Sequence, residues 1–477
     1  MTTTTTPHSE QWSQVMGRAA TLAGEYIAEL AHRSVAPLAS PQELRRLLGG
    51  PLPSDPKAAV DVVSHLGRVG QLGTMASAGP RFFGFVMGGA IPAAAGADWL
   101  VTAWDQNAAG YGPSPMASIV EEVAAGWILE LFGLPSQCSV GFVTGGTMAT
   151  FTALAAARHL LLARDGWDVE TRGLRDAPAI AVVATREYHP SLERAVRLLG
   201  IGTDAIRFVS TDGNGAIEPD DLAVTLASIQ TPTIVFAQAG NINTGAVDPL
   251  DRICDIAHSH HAWVHVDGAV GLWALASPGL RPRFAGIDGA DSWSTDAHKW
   301  LNVPFDCGLV ICAHPEAHRA TLNVTGPYIV PTAERDGYDW TPEWSRRARA
   351  LPLYAAIRSL GQTGIADLVE RCCTLAQRFA HDLGAVRGIH ILNDVVLNQV
   401  LVAFDSPDDD HDSLADETIE RVQKDGTCWL FGTTWHGRRA MRISVSNWNT
   451  TDDDVDRSAA AIVRAYREAV EARSRAR

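Results

Sequence analysis

Between about residue 91 and residue 365 short apolar runs alternate with helical patterns, and this alternation constrains the fold more than any other feature of the chain. The runs at 179–184, 206–209, 233–237, 262–266 and 308–312 are rich in aliphatic and β-branched residues. A strand with one wet face alternates apolar and polar residues. These runs are apolar nearly throughout, so both faces must be covered. Residues 121–132 and 146–164 between them carry helical spacing, the second rich in Ala and Leu. Apolar strands separated by helices predict an α/β unit whose mostly parallel sheet lies between helical layers. In such a sheet ligands bind beyond the carboxyl ends of the strands. A smaller α+β unit is expected from residue 366, with strands at 396–404 and 441–445 and a closing helix at 455–473. Residues 1–90 read as a helical segment broken by Pro-rich connections such as Pro51-Leu52-Pro53-Ser54-Asp55-Pro56, with a polar and disordered start over 1–10. The expected domains are therefore 1–90, 91–365 and 366–477, in keeping with 477 residues being too many for one ordinary core.

Several function classes are disfavoured by composition. A net charge of −15 works against a phosphate backbone, so no nucleic-acid partner is expected. The Thr-rich start lacks the basic and apolar parts of a signal peptide. No stretch approaches the ~18 apolar residues of a spanning helix, and the expectation is a soluble cytoplasmic protein with no membrane partner. Seven scattered cysteines, an odd number without a C-x-x-C pair, make a disulfide framework improbable. His258, His260, His261 and His265 cluster, but nothing nearby clearly completes a ligand set, and no metal is expected.

The chemistry points elsewhere. Lys299, in Ala297-His298-Lys299-Trp300-Leu301-Asn302, follows by 32 residues the aspartate of His265-Val266-Asp267-Gly268-Ala269. A lysine near a positively charged cofactor has its amine pKa pushed down and attacks carbonyl groups. A carboxylate ending an apolar strand needs a partner, and a protonated pyridine nitrogen is one. Pyridoxal phosphate (PLP) needs this pair: an amine for its aldehyde and an anion for its ring nitrogen. His265, two positions before Asp267, shares its face in a regular strand and is a candidate to orient that carboxylate. Upstream, Val143-Thr144-Gly145-Gly146-Thr147 opens the long helix at 146–164, and its N–H groups and the Thr147 hydroxyl make an anion site. His189, in Glu187-Tyr188-His189-Pro190-Ser191, follows the run at 179–184 and is placed to stack on a cofactor or exchange a proton. Ser294 and His298 are further candidates for phosphate contacts. Each residue taken singly also reads as an ordinary cap, loop or surface residue; the order and spacing of the set favour the cofactor.

These pieces resemble the group II PLP-dependent amino-acid decarboxylases, which include aromatic-L-amino-acid, histidine and glutamate decarboxylases. The resemblance runs from Pro80-Arg81-Phe82-Phe83 to the segment 442–449. It implies PLP fold type I, like aspartate aminotransferase, with a large PLP-binding domain, a small α+β C-terminal domain and an N-terminal helical dimer arm. It implies Lys299 as the Schiff-base lysine, Asp267 as the pyridinium partner, Ala269 beside the ring and His189 stacked on the cofactor. Gly146, Thr147 and His298 fall at phosphate contacts. Asn241 falls near the cofactor O3′, where the family usually has a Gly-Thr-Thr type run, and Asp296 stands where several relatives have Asn. A carboxylate there is unfavourable beside a phosphate unless it points away. Tyr328 matches the family's mobile-loop tyrosine, which protonates Cα after CO2 leaves. Phe85 and Trp104 fall among pocket residues, and Arg442 resembles the carboxylate-binding arginine of aminotransferases, although in this family a structural role in the small domain is favoured. The implied function is decarboxylation of an L-amino acid to its amine by a homodimer with the site at the interface. A carbon–carbon lyase, an aldehyde synthase, or a catalytically silent scaffold of the same fold are the alternatives.

Overall fold

The computed structural model describes residues 7–324, 326 and 333–475. Tyr328 lies outside the described residues. Among the described residues the larger sheet has seven strands: β1 Ser139–Val143, β2 Ala181–Ala184, β3 Ile206–Phe208, β4 Thr233–Gln238, β5 Trp263–Asp267, β6 Ser292–Asp296 and β7 Gly308–Cys312. They lie in the order β1-β7-β6-β5-β4-β2-β3. Only β7 runs antiparallel, to both β1 and β6. The predicted mostly parallel sheet is thus present, and its strands are buried on both faces except at the edge strand β3, where Arg207 and Phe208 are exposed. Ile234 and Phe236 of β4 pack into one apolar cluster with the helix Gly146–Arg164. Val235 and Ala237 of the same strand enter the other cluster, with Ile128, Phe132 and Trp273.

β6 carries no apolar run, and sequence periodicity does not announce it. Ser292, Trp293, Ser294, Thr295 and Asp296 are nevertheless all buried. A polar strand survives in a core only when its side chains are bonded. Ser292 Oγ meets Trp263 Nε1 and His265 Nδ1, each at 2.9 Å, and Thr295 Oγ1 donates to the Gly268 carbonyl at 3.0 Å.

The smaller sheet comprises β8 Ile389–Ile391, β9 Gln399–Phe404, β10 Phe431–Trp435 and β11 Arg438–Ser444, in the antiparallel order β10-β11-β9-β8. Helices His411–Asp425 and Asp452–Arg475 accompany it. The joint expected at 365/366 falls within the helix Ala350–Gly384, shortly after Gly361, whose φ of +61° interrupts the helical backbone. At the other end, the helix Pro7–Glu29 begins inside the stretch expected to be disordered, because its spacing lets it pack on the helix Ala59–Gly73. Among the described residues no helix is long and apolar enough to cross a membrane, and all seven cysteines are buried and unpaired.

Candidate active site

Strand direction gathers the chemistry at one edge of the sheet. β1, β4, β5 and β6 all point their carboxyl ends the same way, and β2 runs with them. β1 leads into the helix start at Gly146, β2 into His189, β4 into the turn 239–247, β5 ends on Asp267 and β6 on Asp296, three residues before Lys299. Two close backbone approaches fix this edge. A Cβ on Gly308 would overlap the Gly145 backbone, so β7 and the turn before the helix touch directly. A Cβ on Gly88 would overlap the Lys299 carbonyl and the Asn302 side chain, which seats the loop 84–89 against the lysine.

The result is a cleft of about 430 Å³ lined by Phe85, Gly146, Thr147, Tyr188, His189, Pro190, Ser191, Ile242, Asn243, Asp267, Ala269, Asp296, Lys299, Thr433 and Arg442. Seven residues singled out from the sequence as site candidates meet here: Lys299, Asp267, His189, Gly146, Thr147, Ala269 and Phe85. Asp267 is 8% exposed, and its Oδ1 accepts the Ala269 N–H at 3.0 Å, which sets the carboxylate's orientation. His265 does not do so. Its ring is fully buried and bonded to Ser292 and Ser294, and burial brings it down to about 4, against the pull of Asp267. His189 is held through Nδ1, which accepts from the Ser191 N–H at 3.2 Å and lies 3.0 Å from Ser191 Oγ. An accepting Nδ1 leaves the neutral ring's proton on Nε2. Burial and then the Lys299 charge lower the His189 pKa, while Asp267 raises it.

Four candidates lie elsewhere in the fold. Ser294 is fully buried beneath the cleft, with its hydroxyl 3.3 Å from both Thr150 Oγ1 and His265 Nε2. His298 is buried and stacked on Phe305 with ring centroids 3.3 Å apart; burial, then Lys299, brings it down to about 3. Asn241 is 1% exposed, and its side chain is spent on the chain's own turn. Its amide donates to the Glu187 carbonyl at 3.2 Å and its Oδ1 accepts the Asn243 N–H at 2.9 Å. Trp104 ends the helix Pro92–Trp104, 41% exposed, outside the lining of this cleft.

Other lining residues carry no sequence signal. Asn243 and Thr433, bonded at 2.9 Å, come from different domains. Arg442, read as structural in the small domain, lies in the cleft lining. It is half-buried, its one side-chain hydrogen bond among the described residues is to the Ile242 carbonyl at 3.4 Å, and no described carboxylate pairs with it. Desolvation alone brings it down to about 10. Phe85 packs against Phe431 with ring centroids 4.3 Å apart and the rings tilted by 47°, forming an aromatic wall. Asp296, whose carboxylate is unfavourable beside a phosphate unless it points away, faces the helix start: Oδ2 accepts the Gly146 N–H at 3.0 Å.

Residues 41–406 match the pyridoxal-dependent decarboxylase conserved domain. The chain belongs to the pyridoxal-dependent decarboxylase family. It is a PLP-dependent carboxy-lyase acting on an amino acid. The decarboxylase is similar to tryptophan decarboxylase 2 of Oryza sativa subsp. japonica, at 26% identity over 79% of this chain and 78% of that protein. It is equally similar to human cysteine sulfinic acid decarboxylase, at 26% identity over 87% of this chain and 88% of that one. Its fold matches the crystal structure of the Oryza sativa TDC with PLP and tryptamine, with a TM-score of 0.90 at 23% identity, over 98% of this chain and 99% of that one.

Proposed function

We propose that the decarboxylase removes CO2 from an L-amino acid while Lys299 serves as the amine that bonds the cofactor aldehyde. The observation that carries this reading is the meeting of Lys299, Asp267, His189 and the Gly146 helix start in one cleft at the strand ends. That set fits PLP: an amine, a fixed carboxylate, an aromatic ring and an array of N–H donors. When bound, the cofactor supplies the electron sink for the breaking Cα–carboxylate bond. Asp267 holds a proton on the ring nitrogen, its oxygen pinned by Ala269. His189, oriented by Ser191, offers its ring face for stacking. Gly146 and Thr147 bind the phosphate with the helix start's N–H groups and a hydroxyl. Asn241, Ser294 and His298 support the site from behind, by shaping the turn, propping His265 and packing on Phe305.

Arg442 is the cation that meets a substrate carboxylate, since a guanidinium without a partner binds one bidentately. Phe85 and Phe431 wall the same space. Tyr328 protonates Cα. The active species is a homodimer; Trp99, Leu100, Trp104, Met116 and Ile119 are exposed apolar residues on two successive helices, which supports a second copy there. Trp104 then serves pairing.

The test is a panel of aromatic and acidic L-amino acids offered to PLP-loaded protein, with CO2 and oxygen followed together. CO2 release without oxygen uptake is expected, and Lys299→Ala abolishes both it and the visible absorbance of lysine-bound cofactor. Oxygen uptake alongside CO2 would make the protein an aldehyde synthase. No CO2 from any amino acid, with the cofactor bound to Lys299, would refute the reading.

A further inference from the structure

We infer that Asp296 gates the anion cradle by proton linkage: a phosphate ester binds at the Gly146 helix start together with a proton taken up at Asp296. The inference rests on the cofactor placement proposed above and adds a role for a residue that placement leaves unexplained.

The geometry is specific. Asp296 Oδ2 accepts the Gly146 N–H at 3.0 Å, and Oδ1 accepts the His298 N–H at 3.2 Å. The carboxylate therefore already holds a donor that a phosphate at this helix start would use. It cannot withdraw. Its residue closes β6, paired with Gly308 of β7, and Gly308 touches Gly145. Its own carbonyl accepts from Trp273 Nε1 at 3.1 Å. At 7% exposure there is little water to screen it. Two anions sharing one buried set of donors cannot both stay ionised, and the carboxylate yields by protonation.

The surrounding groups leave that proton within reach. Lys299 favours the charged carboxylate and Asp306 opposes it, but Asp306 is itself paired with Arg349 at 3.0 Å. The neighbouring Cys307 thiol is held neutral by burial, and so is the His298 imidazole. Burial, working against Lys299 and the two N–H groups, raises the Asp296 carboxyl to about 6. A protonated Asp296 keeps a neutral oxygen for Gly146 or turns its O–H toward the anion.

The experiment measures binding, not turnover. Affinities of apoprotein for inorganic phosphate and for PLP are compared in wild type and Asp296→Asn from about pH 6 to about pH 8. Because the probe's own titration is common to both proteins, the ratio of their affinities isolates Asp296. The ratio should widen roughly fiftyfold across this range in favour of the variant, as wild type weakens with rising pH. Calorimetry of wild type at about pH 8, where inorganic phosphate is already mostly the dianion, in buffers of different ionisation enthalpy should show proton uptake with phosphate, a readout that needs no variant to fold. A constant ratio, or phosphate binding without proton uptake, would overturn the inference while leaving the cofactor site standing. Wild type that binds neither probe would overturn the cofactor placement, and the gate with it.

Discussion

Gly308→Ala tests whether the cofactor site depends on direct backbone contact between β7 and the helix start. The added Cβ would lie 2.5 Å from both Gly145 Cα and the Gly145 carbonyl oxygen. Comfortable carbon contacts begin near 3.5 Å, so the two backbones must part by about 1 Å. Both are interior: Gly308 pairs with Val143 and with Asp296 in the sheet, so the displacement passes to the Gly146 N–H and to the strand end before Lys299. Overpacking of this kind costs about 1–3 kcal/mol of stability. A misplacement of about 1 Å in a positioned site costs roughly a hundredfold in rate. The assay pairs urea melts with PLP affinity by equilibrium dialysis and with CO2 release. Gly213→Ala, where an added Cβ meets nothing within 4 Å, is the control and should behave as wild type. A Gly308→Ala protein with unchanged melt, PLP affinity and rate would refute the claim that this contact sets the cradle.

Other expected outcomes follow from the cleft and from one site beyond it. Asp267→Asn keeps the shape and the Ala269 contact but removes the charge, so PLP still binds while CO2 release falls by about two to three orders of magnitude. Arg442→Ala should cost about 2–4 kcal/mol in kcat/KM, the loss of a charged hydrogen-bonded contact to substrate, with a normal urea melt since no ion pair among the described residues is broken. Asp291, on the far side of the sheet, binds His258 at 3.1 Å and His314 at 2.8 Å. Burial raises its carboxyl, but these imidazoles and the Val264 N–H outweigh it and bring it down to about 2. Its contribution to stability is therefore full above the unfolded value near ~4 and is lost as pH falls toward about 2. His258 is raised, chiefly by its hydrogen bond to Asp291, so its contribution is full below ~6.5 and is lost as pH rises through the higher folded value. The difference between wild-type and His258→Asn melts should be largest near pH ~5.5, under about 1 kcal/mol for so exposed a ring, and should vanish on the alkaline side.

Local pattern was enough wherever one segment carries its own signal. Apolar runs at 179–184, 233–237 and 262–266 could be buried only as covered strands, and they became β2, β4 and β5. The helix at 146–164 is present with those limits because its Ala/Leu stretch, preceded by two glycines, needs no distant partner to define it. Lys299 and Asp267 were legible because an ionisable group in an apolar setting requires a reason. β6 was not. Serine and threonine lower a segment's apparent burial, and only neighbours 27 to 29 residues away, Trp263, His265 and Gly268, supply the bonds that make it a core strand. Ser294 and Asn241 have the right chemistry for a cofactor contact, yet tertiary neighbours consume their hydrogen bonds.

What the sequence determined by itself is therefore the fold class, and it singled out Lys299 and Asp267 as the pair proposed to react, because burial of apolar strands and the cost of a lone buried charge are local facts. Only the tertiary structure decided which polar groups remain available. Arg442 lines the cleft with no described carboxylate paired to it. Asp296 faces the helix start because Gly308 brings β7 and β6 against Gly145. Hydrogen-bond capacity is spent between segments distant in the chain, and its remainder appears only once they are packed.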